Sequence, residues 1–169
     1  MYNPPKSKKK PEGPLSASAR ALRLVARRDY TRLELRAKLA PHVEDAAELE
    51  VMLDDFTERG WISEPRVVEQ LVHAKSARLG ASRIRHVLLK RGIAEELIGP
   101  ALAKLKESEP GRARSVLARK FSSAPATPAE RARQVRFLQS RGFTFQVAMR
   151  VVSADAHEDG TRDEIRDGE

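Results

Sequence analysis

The sequence predicts an all-α fold built from three tandem three-helix units. Apolar residues recur at helical spacing throughout the body of the chain, as in the stripe of Leu49, Met52, Leu53 and Phe56. No segment alternates polar and apolar residues over a sustained stretch, so no β-sheet is predicted. Helix start and stop signals divide the chain into nine segments, which group into three triplets of about 45 residues each.

The predicted first unit covers residues 15–60. A capping residue precedes each of its helices: Ser16 or Ser18, Thr31, and Asp45. Glu34 follows Thr31 at the spacing of a capping box. Pro41 ends the second predicted helix, and Gly60 ends the third.

The predicted second unit covers residues 61–107. Pro65 suits a first helical position, and Gly80 is predicted to stop that helix. Ser82 is predicted to cap the next helix, which ends at Gly92. A helix over 95–106 contains Gly99-Pro100, so it either begins near the proline or bends there.

The predicted third unit covers residues 108–154. Pro110-Gly111 precedes its first helix, and the linker SSAPATP leads to a second helix that Pro128 opens. A last helix is expected over about 144–153. The flanking segments are predicted to be disordered: a basic arm at 1–14 and an acidic tail at 155–169.

An Arg-Gly pair followed by an apolar residue occurs three times, at 59–61, 91–93 and 141–143. Gly92 and Gly142 are predicted to take the left-handed conformation that ends a helix, with the following residue returning to the core. Gly60 lies after a third helix, so we interpret its turn as a unit joint and not as a true copy. The arginines suit the negative end of the helix dipole even without a partner.

The charge of the chain rises along the body. The net charge is +8 overall, +3 for the arm and −5 for the tail, whereas the three units carry −1, +4 and +7. A basic body of this kind favours a polyanionic partner, either nucleic acid or an acidic protein surface. The charged fraction of 33% suits an elongated body with little interior per residue.

Several functional classes find no support in the sequence. Cysteine is absent, so disulfides and thiolate metal sites are excluded. The four histidines lack metal-ligand spacing, and no phosphate-binding loop or nucleophile motif is present. We therefore predict no enzyme activity, no cofactor and no metal. Without an apolar run of membrane length or a secretory signal, a cytoplasmic protein without membrane contact is expected. We also expect a monomer.

The candidate contact residues are basic side chains of the second and third units, because arginine makes planar, bidentate contacts to phosphate or carboxylate. A solvated helix face is the alternative interpretation of the same pattern. The predicted residues are Arg83, Arg85, Lys90, Arg91, Arg112, Arg114, Arg119, Lys120, Arg131, Arg133, Arg136 and Arg141.

Three stretches of the sequence resemble the RecX family of regulatory proteins. They are ALRLVARRDYTRLELRAKL at 21–39, the segment 61–93 that ends in KRGI, and RARQVRFLQSRGFTFQVAMRVV at 131–152. The chain departs from the family pattern at Val67, where phenylalanine is common, and at Gly99-Pro100, where the helix is usually unbroken.

The resemblance implies three tandem three-helix units in a curved, elongated body. It also implies binding to RecA and to the RecA–ssDNA filament, with inhibition of RecA ATPase, recombinase and co-protease activity in DNA repair and the SOS response. A stand-alone, sequence-nonspecific DNA-binding protein remains the alternative, and it requires tight DNA binding without RecA that weakens steeply with salt.

Overall fold

The computed structural model describes residues 15–163, with side chains described through residue 154. Nine α-helices and one short 3₁₀ helix, and no strand, are present in that range. The helices are α1 (Ala17–Val25), α2 (Arg32–Leu39), α3 (Ala46–Glu58), α4 (Glu64–Ser76), α5 (Ala81–Lys90), α6 (Glu95–Ala103), α7 (Glu109–Ala118), α8 (Pro128–Ser140) and α9 (Phe145–Asp163), and the 3₁₀ helix Ala40–His42 follows α2. The predicted all-α class is confirmed.

The helices pack as three successive triplets, each around its own hydrophobic core. Unit 1 is α1–α3, unit 2 is α4–α6 and unit 3 is α7–α9. Leu35, Leu39 and Leu53 are fully buried in the first core, Ile84 and Leu88 in the second, and Leu138, Val151 and Val152 in the third. Ile62, which the sequence assigned to the second unit, packs in the core of unit 1.

Local capping follows the sequence signals in unit 1. The hydroxyl of Ser16 accepts a hydrogen bond from the Ala19 amide, and Asp45 caps α3 in the same way. Thr31 and Glu34 form the predicted capping box. Thr127 and Glu130 form a second capping box at the start of α8.

The predicted cap at Ser82 is wrong. Gly80 is the N-cap residue of α5, with φ −76° and without a side chain that could cap. The preceding helix ends at Ser76, before Gly80. Unit 3 supplies the missing cap, because residues of the third unit accept the first amide groups of α5, as described below.

Two other helices differ from expectation. The helix α6 begins at Glu95 and continues through Pro100 to Ala103. Both Gly99 and Pro100 are exposed, so the hydrogen bond that proline removes lies on the solvent side. The helix α9 continues to Asp163, so residues 155–163, expected to be structureless, are helical, while 1–14 and 164–169 lie outside the described residues.

The three Arg-Gly turns share one backbone geometry. Gly60, Gly92 and Gly142 have φ of +69°, +77° and +88°. In each turn the amide after the glycine bonds to a carbonyl five residues earlier, as in Phe143 to Leu138 at 3.2 Å. Gly60 thus repeats the turn locally, although it ends α3, the last helix of its unit.

The Arg141-Gly142 turn of unit 3 packs against the N-terminus of α5 and accepts hydrogen bonds from it. Three consecutive amides of unit 2 donate to unit 3: Gly80 to the Arg141 carbonyl (2.9 Å), Ala81 to Glu109 Oε1 (3.3 Å) and Ser82 to the Gly142 carbonyl (3.3 Å). A Cβ atom added at Gly80 would lie 2.2 Å from the Gly142 carbonyl oxygen. Glycine is therefore required by the contact between two backbones.

The equivalent joint between units 1 and 2 uses a side chain instead. The Thr31 hydroxyl, fully buried, donates to the Arg91 carbonyl at 2.8 Å. Arg91 Nε lies 3.7 Å from Glu34 Oε1. In both joints, the turn that ends the second helix of one unit rests on the N-terminus of the second helix of the preceding unit.

Replacing Glu109 with alanine is expected to destabilise the joint between units 2 and 3. The Glu109 side chain is nearly buried, and its loss leaves the Ala81 amide without an acceptor. We expect the free energy of unfolding to fall by about 1–3 kcal/mol, measured by urea denaturation. The exposed neighbour Glu107 is the control, and Glu107→Ala should change stability by less than about 0.5 kcal/mol. Equal effects at both positions would contradict the capping role.

Replacing Gly111 with alanine is expected to stabilise the chain. A Cβ atom at this position of α7 meets nothing within 4 Å, and glycine inside a helix is unfavourable by about 0.5–1 kcal/mol relative to alanine. Urea denaturation should show a gain of that size. Gly99→Ala in α6 is the contrast, because a Cβ atom on the residue before a proline disfavours the helical conformation, so no gain is expected there. An equal gain at both positions would mean that Pro100 does not restrict the residue before it.

Candidate partner-binding surface

Four of the seven arginines of unit 1 form intramolecular ion pairs: Arg28, Arg32, Arg36 and Arg59. Arg32 contacts Glu50 at 2.7 Å and Asp54 at 2.6 Å, and Arg36 contacts Glu50 at 2.6 Å. The hydrogen bond from Arg32 is the main cause that lowers the pKa of the Glu50 carboxyl. Arg28 pairs with Glu34 in the same manner. These paired charges neutralise each other, whereas Arg20, Arg23, Arg27 and Lys38 line a separate cavity of about 320 Å³ and form no ion pair with a described carboxylate.

The predicted residues of unit 2 divide into paired and unpaired side chains. Arg85 pairs with Glu95 at 3.0 Å, and Arg91 pairs with Glu34 across the joint. Arg83 and Lys90 are exposed, and neither forms an ion pair with a described carboxylate. Arg83 also lies in the joint between units 2 and 3, where Gly142 packs against its backbone.

Arg112 of unit 3 stabilises the packing of α7 through hydrogen bonds to backbone carbonyls. Its guanidinium donates to the carbonyls of Ser76 (2.9 Å), Leu79 (3.1 Å) and Leu105 (3.2 Å). Burial lowers the pKa of Arg112. Because its donors are used to tie α7 to the ends of α4 and α6, we leave Arg112 out of the candidate surface.

Four cations converge where the C-terminal ends of α4, α7 and α8 meet. Arg78, Arg119, Lys120 and Arg141 line a pocket of about 320 Å³ with Val116 and Phe137, which we call the basic pocket. None of the four forms an ion pair with a carboxylate in residues 15–154. The Arg141 guanidinium lies over the Phe137 ring at 5.2 Å. Arg119 also donates to the Ala77 carbonyl at 3.4 Å.

Arg78 was not among the predicted residues. It follows α4 in a short connection, and in sequence it is far from the cations it joins. The tandem repeat could have predicted its position, because the packing of unit 3 on unit 2 brings the end of α4 close to α7 and α8.

The other predicted cations of unit 3 lie elsewhere. Arg131 and Arg136 line a second cavity, the terminal groove, of about 450 Å³ between α8 and the start of α9. Its walls include Val135, Met149 and Phe145, of which Phe145 is 58% exposed. Arg133 lies over the Phe121 ring at 5.8 Å, and Arg114 is exposed on α7. Of the predicted residues, Arg119, Lys120 and Arg141 therefore line the basic pocket, Arg131 and Arg136 line the terminal groove, and the others lie outside both cavities.

The chemistry available at the basic pocket is recognition of anions. Two or more guanidinium groups can hold a carboxylate or a phosphate through paired hydrogen bonds, and a flanking aromatic ring keeps one of them in place. No group of three or more histidines and carboxylates in the described residues is arranged to hold a metal ion. Among residues 15–163, no helix combines the length and apolar character that a membrane crossing needs.

Comparison with known proteins identifies the family. Residues 107–152 match the family model described as the third three-helix domain of RecX. "Regulatory protein RecX" of Ralstonia nicotianae is 42% identical over 86% of this chain and 92% of its own length. The protein of the same name from Leptothrix cholodnii is 44% identical over 85% of this chain and 92% of its own length.

Solved structures agree in fold. The crystal structure of RecX from Lactobacillus salivarius superposes with a TM-score of 0.71, at 16% identity, over 82% of this chain and 93% of that one. A crystal structure titled as regulatory protein RecX gives a TM-score of 0.69 at 21% identity, over 80% of this chain and 70% of that one. With relatives above 40% identity across most of its length, the chain belongs to the RecX family of regulatory proteins.

Proposed function

We propose that this chain binds RecA and the RecA–ssDNA filament in the cytoplasm and inhibits RecA ATPase, recombinase and co-protease activity. The observation that supports this proposal is the basic pocket, which offers four cations without a carboxylate partner in the described part of the chain. A recombinase filament on DNA presents both phosphates and protein carboxylates, and either would fit the pocket.

The repeat architecture suits a filament as partner. The basic pocket and the terminal groove are separate surfaces on one chain, so weak contacts to neighbouring RecA subunits would act together. The charge also suits this role, because unit 3 carries nine basic and two acidic residues, whereas unit 1 carries eight and nine. Unit 3 would therefore face the most acidic part of the assembly.

Binding to labelled RecA–ssDNA filaments, compared with the same DNA alone and with RecA alone, tests the proposal. We expect the filament to be bound at least tenfold more tightly than the bare DNA. Equal affinity for filament and DNA would reject RecA as the partner. No binding to the filament at moderate salt would reject the function as a whole.

Direct binding to nucleic acid is the second candidate, and the unpaired cations favour it. If each of the four cations of the basic pocket displaces one counterion from single-stranded DNA, the slope of log K against log salt should be about −3. A flat slope, or millimolar binding at low salt, would exclude this candidate. The DNA-alone arm of the same experiment supplies the measurement.

A further inference from the structure

A separate cluster of unpaired cations lies in unit 1, in a cavity between α1 and the C-terminal end of α2. We call it the α1–α2 cavity, and its volume is about 320 Å³. The cations that line it are Arg20, Arg23, Arg27 and Lys38. None of the four forms an ion pair with a described carboxylate. His42 of the 3₁₀ helix lines the same cavity.

The net charge of unit 1 conceals this cluster. The unit carries eight basic and nine acidic side chains, and their sum of −1 predicts no anion site. In the folded unit, Glu50 of α3 pairs with both Arg32 and Arg36 of α2. The three arginines of α1 that line the cavity have no such partner in the described residues. Folding therefore separates the paired charges from a group of unpaired ones.

One guanidinium of the α1–α2 cavity is held in place by the backbone. Arg20 Nε donates to the Leu15 carbonyl at 3.0 Å, and the Arg20 side chain is partly buried. This bond leaves the two terminal nitrogens of Arg20 without an acceptor in the described residues. Terminal guanidinium nitrogens can make paired hydrogen bonds to a phosphate. The cavity thus contains a donor pair whose position is already fixed.

The helix α1 is weakly held in its unit. Ala21 is the one residue of α1 that is buried, whereas Leu22 is 41% exposed. The helix packs mainly on α2, and the cavity places cations on both sides of this contact. Because like charges repel, the unpaired cations oppose the packing of α1 on α2 unless an anion lies between them.

We infer that the α1–α2 cavity binds a small anion with two linked phosphoryl groups, and that the bound anion fastens α1 to α2. A phosphoryl group carries up to about two negative charges and three strong acceptor oxygens near neutral pH. The arginines of α1 and Lys38 of α2 can share these oxygens, so the anion replaces a repulsion with a bridge. A single carboxylate would leave most of the positive charge of the cavity uncompensated.

A long polyanion fits this cavity less well than a small anion. Glu44 and Asp45 are exposed and follow His42 within three residues. A nucleic-acid strand in the cavity would bring further phosphates close to these carboxylates, whereas a small anion would not. The filament is proposed to bind at the basic pocket, so this inference does not depend on RecA.

Hydrogen exchange of the α1 amides of the full chain, with and without inorganic pyrophosphate, tests the inference. A ligand of the closed state slows local opening by the factor 1 + [L]/Kd, so a Kd of about 0.1 mM gives about tenfold slower exchange at about 1 mM pyrophosphate. Sodium chloride at equal ionic strength should change the exchange by less than about twofold. Because the measurement is confined to α1, pyrophosphate bound at the basic pocket does not affect it.

Arg23→Gln combined with Lys38→Gln removes one cation from each helix. Without pyrophosphate, α1 should exchange no faster than in the wild type, because both side chains are exposed and their repulsion is relieved. With pyrophosphate, the tenfold protection should fall below about twofold. Arg36→Gln is the control, since Arg36 is an exposed arginine of α2 that pairs with Glu50 outside the cavity, and this variant should keep the protection.

Two further ligands identify the source of the phosphoryl groups. Adenosine triphosphate without magnesium should protect α1 as pyrophosphate does if the cavity takes the phosphate chain of a nucleotide, and should give no protection if it takes the free anion alone. A dT oligonucleotide without terminal phosphates should not protect α1. The inference is overturned if pyrophosphate leaves the exchange of α1 unchanged, if the double variant keeps the protection, or if the oligonucleotide protects α1 as well as pyrophosphate does.

Discussion

Gly142→Ala is expected to lower the free energy of unfolding by at least about 3 kcal/mol, measured by urea denaturation. Alanine at φ +88° is strained by about 1–2 kcal/mol. In addition, its Cβ atom would lie 2.4 Å from Arg83 Cβ and 2.5 Å from Arg83 N. Backbone cannot rotate away as a side chain can, so units 2 and 3 must separate and lose the Gly80 and Ser82 bonds.

The other two turns provide graded controls for this prediction. Gly60→Ala has the strain but no contact, so a loss of only about 1–2 kcal/mol is expected. In Gly92→Ala, the added Cβ atom would lie 2.8 Å from the Leu33 side chain. Because this side chain can move, the loss of unfolding free energy should lie between those of the other two variants. Equal losses of unfolding free energy in Gly60→Ala and Gly142→Ala would show that the joint between units 2 and 3 tolerates the added Cβ atom.

Reversal of two charges in the basic pocket is expected to have the largest effect on partner binding. Lys120→Glu combined with Arg141→Glu places two carboxylates where we propose that an anion binds. The affinity for fluorescently labelled RecA–ssDNA filaments should fall at least tenfold, equivalent to about 1.4 kcal/mol. Neither side chain forms an ion pair in the described residues, so the loss of stability should stay within about 1–2 kcal/mol, from the Arg141–Phe137 contact and the helix dipole.

Arg23→Glu combined with Lys38→Glu is the matched control. Both residues are exposed on unit 1 without an ion pair in the described range, and the change in net charge is identical. This variant should bind the filament within about twofold of the wild type. If both double variants lose affinity equally, net charge alone is responsible and the pocket has no specific role.

The sequence predicted those features that depend on neighbours in the chain. The capping box at Thr31 and Glu34 and the left-handed Gly92 and Gly142 were correct, because each depends on contacts within a few residues. The cap of α5 was missed, because its acceptors, Glu109, Arg141 and Gly142, come from another unit. A local sequence pattern does not show which distant residues accept these hydrogen bonds.

The extent of α9 was underestimated for a related reason. The predicted end near 153 follows the last apolar residues, whereas the helix continues to Asp163. Once a helix is established, each further residue adds one hydrogen bond at a lower entropic cost than nucleation. The last apolar residue of the pattern therefore does not mark the end of the helix.

The candidate surface shows the same division between local and distant information. Sequence alone gave the basic character of units 2 and 3, but it could not separate Arg112, which bonds three carbonyls, from Arg141, which faces the basic pocket. The two Arg-Gly arginines also differ in role through their joints. Arg91 pairs with Glu34, which lies three residues after the N-cap of α2. In the joint between units 2 and 3, the residue three positions after the N-cap of α5 is Arg83, which cannot pair with Arg141.

Hydrolysis of ATP by RecA on single-stranded DNA, followed while this protein is added, is the most direct test of the proposed function. We predict that the rate falls progressively and is strongly reduced once the protein approaches the concentration of RecA, in moderate salt. An unchanged rate at stoichiometric protein would contradict the proposal that this chain inhibits RecA.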